Sequence, residues 1–366
     1  MFDFWKLLPD VTLLFGMFAM GVGAVLSFIS IPVIVKIGKA KSLMAEPNDR
    51  TSHNASIPSL GGVAIFAGVI LGSTLFIPPD HIEGPLRYII AAIFILFLVG
   101  QIDDIICISW QKKLIAQILS SLILIVMGNF RFTTLFGLAG IHAIPVWASA
   151  AITLFVFVAI INAFNLIDGI DGLASGTGIM SSFLMGILLY GIGAHGMAIV
   201  AWSLTGSLVP FFCFNVFGKK NKIFMGDTGS LMIGLLIALF AEVICGRERS
   251  DNLIIYMHAA PSMVLAILIY PLFDMTRVVI LRLINGKSPF IADRNHIHHL
   301  FLDAGYSHSR STFTILFLNG MAIVWALIFR NFSFLFVGLT LLAGCLITAQ
   351  IIKTIGERRK RETIGL

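Results

Sequence analysis

Four short stretches of the chain gather residue types that can hold a cation and carry phosphate. Gln101-Ile102-Asp103-Asp104 sets two carboxylates side by side at the close of an apolar run. Adjacent helical residues point about 100° apart, so one Asp can serve a metal or act as a base while its neighbour holds a helix end or a lysine. In Asn162-Ala163-Phe164-Asn165-Leu166-Ile167-Asp168-Gly169-Ile170-Asp171-Gly172, spacing by three puts Asn162, Asn165 and Asp168 on one helical stripe. Gly169 and Gly172 then favour a break that lets backbone approach a ligand. Amides and carboxylates on one stripe suit a hard cation and a hydroxyl-rich or base-bearing substrate. Phe224-Met225-Gly226-Asp227-Thr228-Gly229-Ser230 opens another apolar run. Thr228 or Ser230 can cap that helix, its amino end suits an anion such as pyrophosphate, and Asp227 can carry a Mg2+ bridging that anion. The fourth stretch, Asp293-Arg294-Asn295-His296-Ile297-His298-His299, follows Ser288-Pro289-Phe290 and reads as a flexible donor array for phosphate oxygens.

Each stretch also has a plainer reading. The aspartate pair can be a solvated helix end, the third stretch an ordinary cap, and the histidines a structural loop. Interhelical hydrogen bonding accounts for one or two of the Asn-rich groups but hardly for four within ten residues. Zinc on the histidines is disfavoured, because no cysteine lies near and the neighbouring carboxylates suit a harder ion. A further polar loop, Glu46-Pro47-Asn48-Asp49-Arg50-Thr51-Ser52-His53, precedes Pro58-Ser59-Leu60-Gly61-Gly62. Asp274 and Arg277, three apart, read as a structural pair, and Pro271 should kink the helix before them.

The elements that must hold these stretches together follow from composition. The chain has 366 residues, 58% hydrophobic and 12% charged, with a mean hydropathy of +0.96. A soluble domain carries about 25% charged residues. Charge this scarce cannot coat a water-facing surface, which excludes a cytosolic or secreted globular enzyme. Apolar runs divide the chain into about eleven spans, at 11–33, 60–78, 87–102, 113–129, 145–161, 173–193, 196–217, 230–245, 257–283, 312–329 and 332–353. The third and fifth are read as short. The expected fold is therefore an all-α polytopic membrane protein, a single transmembrane domain over 1–366.

Threading the spans with the amino terminus outside places nineteen of the 25 basic residues inside, in keeping with the positive-inside rule. The basic tail Glu357-Arg358-Arg359-Lys360-Arg361 then lies in the cytoplasm. Twelve of the 19 acidic residues fall on the same face, several at span ends, where acids are costly unless a cation or a phosphate-bound metal needs them. The first 35 residues carry an apolar stretch too long for a cleaved leader, and Asp3 and Asp10 in the lead-in, so they read as a retained helix. Cys107, Cys213, Cys245 and Cys345 have no CxxC spacing and read as small hydrophobes. A secondary transporter would place its acids near the bilayer midplane in repeated halves. Here they sit at span ends, and no repeat is evident. A membrane scaffold leaves their cost unexplained.

With these residues in order, the chain from about 46 to 306 resembles the polyprenyl-phosphate N-acetylhexosamine-1-phosphate transferases. The likeness rests on the aspartate pair, the Asn162–Gly172 stretch, the Phe224–Ser230 stretch and the His-rich loop, whose form is similar to that of the undecaprenyl-phosphate GlcNAc-1-phosphate branch. Glu46 and Thr51 depart from the family pattern. The resemblance implies a ten- or eleven-helix bundle in the bacterial inner membrane with a cytoplasmic active site. It implies that undecaprenyl phosphate attacks the β-phosphorus of UDP-GlcNAc, giving undecaprenyl-diphospho-GlcNAc and UMP. This would be the first membrane step of an envelope glycan, with UDP-GalNAc or UDP-MurNAc-pentapeptide as alternative donors.

By residue, the resemblance implies Mg2+ on Asp227 and Asn165, with Mn2+ left open as its substitute. Phe224 would stack on uracil, with Asp168 and Asp171 in or near the nucleoside pocket and Asn162 among the substrate-binding groups. Asp103 and Asp104 would sit by the prenyl phosphate, and Arg294, His296, His298 and His299 by the sugar diphosphate. The bilayer is the expected surrounding, a homodimer is left open, and no nucleic-acid partner is expected.

Overall fold

Inside hydrocarbon every backbone N–H and C=O must bond within its own segment, so a chain this apolar folds as helices. The computed structural model describes residues 11–41, 43, 57–78, 85–136, 144–246, 259–288 and 296–364. Among them run α1 (Val11–Ala40), α2 (Gly61–Phe76), α3 (Pro85–Ile106), α4 (Trp110–Leu122, continued by a π segment Ile123–Met127), α5 (Val146–Ile167) and α6 (Leu173–Gly191). Then follow α7 (His195–Phe217), α8 (Gly226–Gly246), α9 (Ala260–Ile284), α10 (Ile297–Asp303), α11 (His308–Ile328) and α12 (Phe334–Ile364).

Ten of these helices are long and apolar enough to cross a membrane, so the chain is an all-α, multi-pass membrane protein. Each of the eleven expected spans has its helix, but the short one is the second, α2, with 16 residues. The third and fifth spans are full helices of 22 residues each. They outrun the apolar signal because Asp103, Asp104, Asn162 and Asn165 continue the helix at its polar end. Pro271 lies inside α9, which runs on as one helix from Ala260 to Ile284.

The bundle is built around α8. From Thr228 to Ile244 every residue of it is buried, as expected for a helix that is apolar on all sides. It packs against α2, α3, α5, α6 and α9. The outermost helices instead present large apolar side chains outward, among them Phe18, Phe28 and Ile29 of α1 and Phe317 and Ile328 of α11. Bare apolar surface of this extent has lipid as its natural neighbour. Where α1 meets α7, small residues let the backbones close. A Cβ on Gly23 would lie 2.7 Å from the carbonyl oxygen of Ser203, and one on Gly16 would run into Trp202.

Between α5 and α6 the chain turns through Asp168–Gly172. Gly172 has φ 80°, and its N–H donates to Oδ1 of Asn215 at 2.6 Å. Asn215 in turn donates to the carbonyl of Ile223 at 2.8 Å, tying this turn to the segment that leads into α8. These short connections bring the end of α3, the start of α4, the end of α5 and the start of α8 to one end of the bundle.

Candidate active site

The aspartate pair closes α3, and both members are engaged. Asp103 accepts the N–H of Ile108 at 2.8 Å and pairs with the ammonium of Lys113 at 2.8 Å. Lys113, one turn into α4, also reaches Oδ2 of Asp227 at 2.7 Å. Asp104 holds the start of α8: Oδ1 accepts the N–H of Asp227 at 2.8 Å, and Oδ2 accepts the N–H and hydroxyl of Thr228 at 3.1 and 2.6 Å. The anion at the amino end of α8 is thus the chain's own Asp104, which also replaces Thr228 or Ser230 as the cap. Those N–H groups are the ones that would otherwise have faced a pyrophosphate.

The backbone here has no room for side chains. Gly226 has φ 73°, and a Cβ on it would lie 2.4 Å from Oδ2 of Asp104. Added carbons on Gly100 and Gly62 would meet the backbone of Thr228 and Gly229 at 2.5 and 2.4 Å. Phe224 and Met225 pair with the segment before α2. Phe224 donates to Pro58 at 2.9 Å, and the carbonyls of Phe224 and Met225 accept from Gly61 and Gly62 at 2.9 and 3.0 Å. The ring of Phe224 is left half-buried.

From α5, Asn165 donates to Oδ1 of Asp227 and to Oγ of Ser230, both at 3.0 Å. Asn162, one turn earlier, forms a reciprocal amide pair with Gln117 of α4 at 2.7 and 3.3 Å. It therefore sits in an interhelical bond and not beside Asp227. Asp168, just past the end of α5, is held well above the usual carboxylate range. Burial is the main cause, followed by the negative charges of Asp227, Asp104 and Asp171, with partial relief from the N–H of Gly226. Asp171 pairs with Lys222 at 2.5 Å, and its backbone carbonyl accepts from Thr312 at 2.7 Å.

The histidines are seated in the fold and do not form the flexible array expected of them. His296 is 5% exposed, His298 2% and His299 9%. Asp274 of α9 anchors them: Oδ2 meets Nδ1 of His296 at 3.0 Å, and Oδ1 accepts the N–H of Ile297, the first residue of α10, at 2.7 Å. Arg277, the partner expected for Asp274, stands 3.9 Å away. His298 packs on the turn after Asp168, where a Cβ on Gly169 would lie 2.4 Å from its Nε2. Burial, then the neighbouring His299, His296 and His308, pull the pKa of His298 well below the usual histidine value. It is neutral at pH 7 and therefore offers one N–H donor and one acceptor, where an imidazolium would offer two donors. Arg294 and the loop from Glu46 to His53 lie outside the described residues.

Among the described residues no three His, Cys, Asp or Glu side chains converge on one point. Mg2+ does not need such a cage, since it binds through one or two carboxylates, waters and substrate phosphates. Asp227 beside Asn165 fits that pattern, with oxygen donors and crowded carboxylates whose repulsion a divalent ion relieves. Asn165 turns its NH2 toward Asp227; rotating the amide by half a turn presents its oxygen instead. Two anchoring residues, Lys113 and Asp274, were absent from the candidate set. The signals for them were a lysine just inside an apolar span, ten residues past the aspartate pair, and an acid inside another.

Comparisons with known proteins cover most of the chain. Residues 86–244 match the model of glycosyl transferase family 4. The undecaprenyl-phosphate α-N-acetylglucosaminyl 1-phosphate transferase of Yersinia pestis is 33% identical over 300 residues, covering 80% of this chain and 76% of its own. The protein of the same name from Escherichia coli K12 is 32% identical over 77% of this chain and 75% of its own. A probable undecaprenyl-phosphate N-acetylglucosaminyl 1-phosphate transferase of Bacillus subtilis is 27% identical over 90% of both chains. With relatives this similar over most of their length, and three motif stretches and the His296–His299 part of the fourth built into one end of one bundle, this chain belongs to glycosyl transferase family 4.

Proposed function

We propose that the chain transfers GlcNAc-1-phosphate from UDP-GlcNAc to undecaprenyl phosphate, at the cytoplasmic face of the bacterial inner membrane. The observation that carries this reading is the convergence of Asp227, Lys113, Asn165, Asp168 and Asp104 where α3, α4, α5 and α8 meet. The names of the relatives supply the substrates, and the basic residues clustered on one side of the threaded spans support the cytoplasmic face.

In the reaction a phosphate oxygen of the lipid bonds to the β-phosphorus of the nucleotide sugar, and the bond from that phosphorus to the oxygen bridging the two phosphates breaks. UMP leaves with the electron pair. A phosphate monoester has a second pKa of about 6, so the nucleophile is already largely dianionic at neutral pH and needs no strong base. Bringing two anions together is the harder task. Asp227 and Asn165 would hold a Mg2+, with Mn2+ as its substitute, and the ion when bound would supply positive charge to offset the negative charge of the two phosphates.

The chain's own groups do the rest. Lys113, balanced between Asp103 and Asp227, turns its ammonium to an incoming phosphate oxygen. Asp103, paired with that lysine, acts by holding it. Asp104 positions Asp227 by fixing the first turn of α8. Phe224 offers a face to uracil beside Asp168 and Asp171. His296, His298 and His299 border the sugar phosphate. Purified protein given UDP-GlcNAc, Mg2+ and a polyprenyl phosphate should release UMP, and a transporter would release none. UDP-GalNAc and UDP-MurNAc-pentapeptide, run as alternative donors, should give much less. Strong preference for either would reassign the donor.

A further inference from the structure

The helix that begins at Asp227 carries a second acid at its other end. Glu242 lies fifteen residues farther along α8, about 22 Å at 1.5 Å per residue, and is 5% exposed. It lines a cavity of about 380 Å³ together with Arg131, His195, Ile89, Val200 and Val243. The proposed reaction uses none of these groups. An ionisable side chain within a membrane-spanning helix is costly and marks a site of function by default.

The charges in this cavity are paired but not fused. The backbone N–H of Arg131 donates to the Glu242 carboxylate, on which the guanidinium also acts. The guanidinium itself donates to Oδ1 of Asn129 at 3.1 Å and to Oγ of Ser149 at 3.5 Å. The cavity therefore sets a carboxyl group beside a guanidinium, with Asn129, Thr133 and His195 as further polar members and Ile77, Leu86, Ile89, Val200 and Val243 forming an aliphatic wall. Its depth is marked by amphipathic rings at the same end of the bundle. Trp147, at the start of α5, is 76% exposed. Arg87 lies 4.7 Å over the ring of Tyr88 near the start of α3, and Tyr190 stands 5.5 Å from His195. Such residues gather at the membrane–water interface.

We propose that this cavity seats the headgroup of a zwitterionic phospholipid bearing a primary ammonium, with the ammonium at Glu242, the phosphate at Arg131 and the acyl chains leaving along the aliphatic wall. An anionic lipid would bring its phosphate to a carboxylate with no ammonium to satisfy it. A quaternary ammonium has no N–H for Glu242, and the single Phe130 on the cavity wall is not the aromatic cage such groups require. The volume suits a headgroup-sized ligand.

The test uses the full-length protein, stripped of lipid in detergent. Native mass spectrometry and thermal melting would be followed on adding phosphatidylethanolamine, phosphatidylcholine or phosphatidylglycerol of identical acyl chains. Phosphatidylethanolamine should bind most tightly and raise the melting temperature most. Glu242→Gln should weaken it by about tenfold or more and erase its advantage over phosphatidylcholine, while UMP release in detergent stays within about twofold. Equal binding of the three lipids, or an unchanged preference in Glu242→Gln, would overturn the proposal. Should that variant fail to fold, N-methyl and N,N-dimethyl phosphatidylethanolamine on the wild type decide the matter: affinity should drop with each lost N–H, and a flat series overturns it. Water-soluble phosphoethanolamine should bind about 100-fold more weakly for want of buried chains, and equal binding would overturn the lipid as the source.

Discussion

Asp104 and Thr228 are joined twice. Oδ2 of Asp104 accepts the Thr228 hydroxyl at 2.6 Å and its backbone N–H at 3.1 Å, across 124 residues of sequence. Asp104 is thus a helix cap borrowed from another helix, and it fixes the turn that carries Asp227. Asp104→Ala should cost about 1–2 kcal/mol, the usual worth of a lost cap. Turnover should fall much further, by about 100-fold, because a small misplacement of a reacting group is expensive. Thr228→Val keeps the backbone bond and should lose far less of both. Thermal melting and UMP release on the same preparations check this; equal losses in the two variants would contradict the capping role.

Asp227 and Asp103 share Lys113 but have different tasks. In the proposed reaction Asp227 meets the diphosphate, whereas Asp103 holds the lysine. Asp227→Asn should therefore abolish turnover more severely than Asp103→Asn, and Mg2+ titrations of UMP release should show weakened metal dependence only in the first. Chelation with EDTA should stop wild-type release, and added Mg2+ should restore it. Comparable residual rates, with Mg2+ affinity unchanged in Asp227→Asn, would defeat that ordering. Lys113→Met removes the cation from two carboxylates at once and should cut turnover by about 100-fold or more.

The ten long helices were legible because an apolar run of membrane-crossing length has few alternatives in hydrocarbon. Asp227 and Asn165 were legible for another reason: their neighbours in sequence are also their neighbours at the site. What stayed hidden were bonds between distant segments. Asn162 shares a stripe with Asn165, yet one turn of helix rotates it onto Gln117, 45 residues away. A glutamine in an apolar run gives no sign of which helix it will meet. Asp274 pairs with Arg277 as the spacing suggested, at 3.9 Å, but its shorter bonds to His296 and Ile297 could not be read from the sequence. The clustered histidines suggested exposure, since isolated imidazoles are polar. Burial became affordable for them only through that distant carboxylate and the bare backbone of Gly169.

Gly169 is the point where the carboxylate cluster and the histidine helix touch. A Cβ there would stand 2.4 Å from Nε2 of His298, far inside contact distance. Gly169→Ala should push the imidazole and α10 aside at a cost of about 1–3 kcal/mol, typical of overpacking. Donor affinity should suffer, with KM for UDP-GlcNAc rising more than kcat falls if the histidines border the sugar phosphate. A variant with unchanged KM and unchanged melting temperature would show that His298 is not wedged against this turn.

His298 also makes stability depend on pH in a definite direction. Its Nδ1 meets no hydrogen-bond partner among the described residues, and burial together with three neighbouring histidines holds its pKa well below the usual value. The unfolded chain takes up this proton at about pH 6.5, the folded chain only at lower pH. Between those points the unfolded state binds more protons, so stability must fall as pH drops below about 6.5, by at most about 1.4 kcal/mol per pH unit for this one group. Above that pH the contribution is constant. His298→Gln has no proton to gain and should melt with a shallower dependence between about pH 6.5 and 5. Melting curves of wild type and variant in detergent across that range provide the measurement. Parallel curves would mean that His298 titrates normally and is open to water, contrary to its buried seat against Gly169.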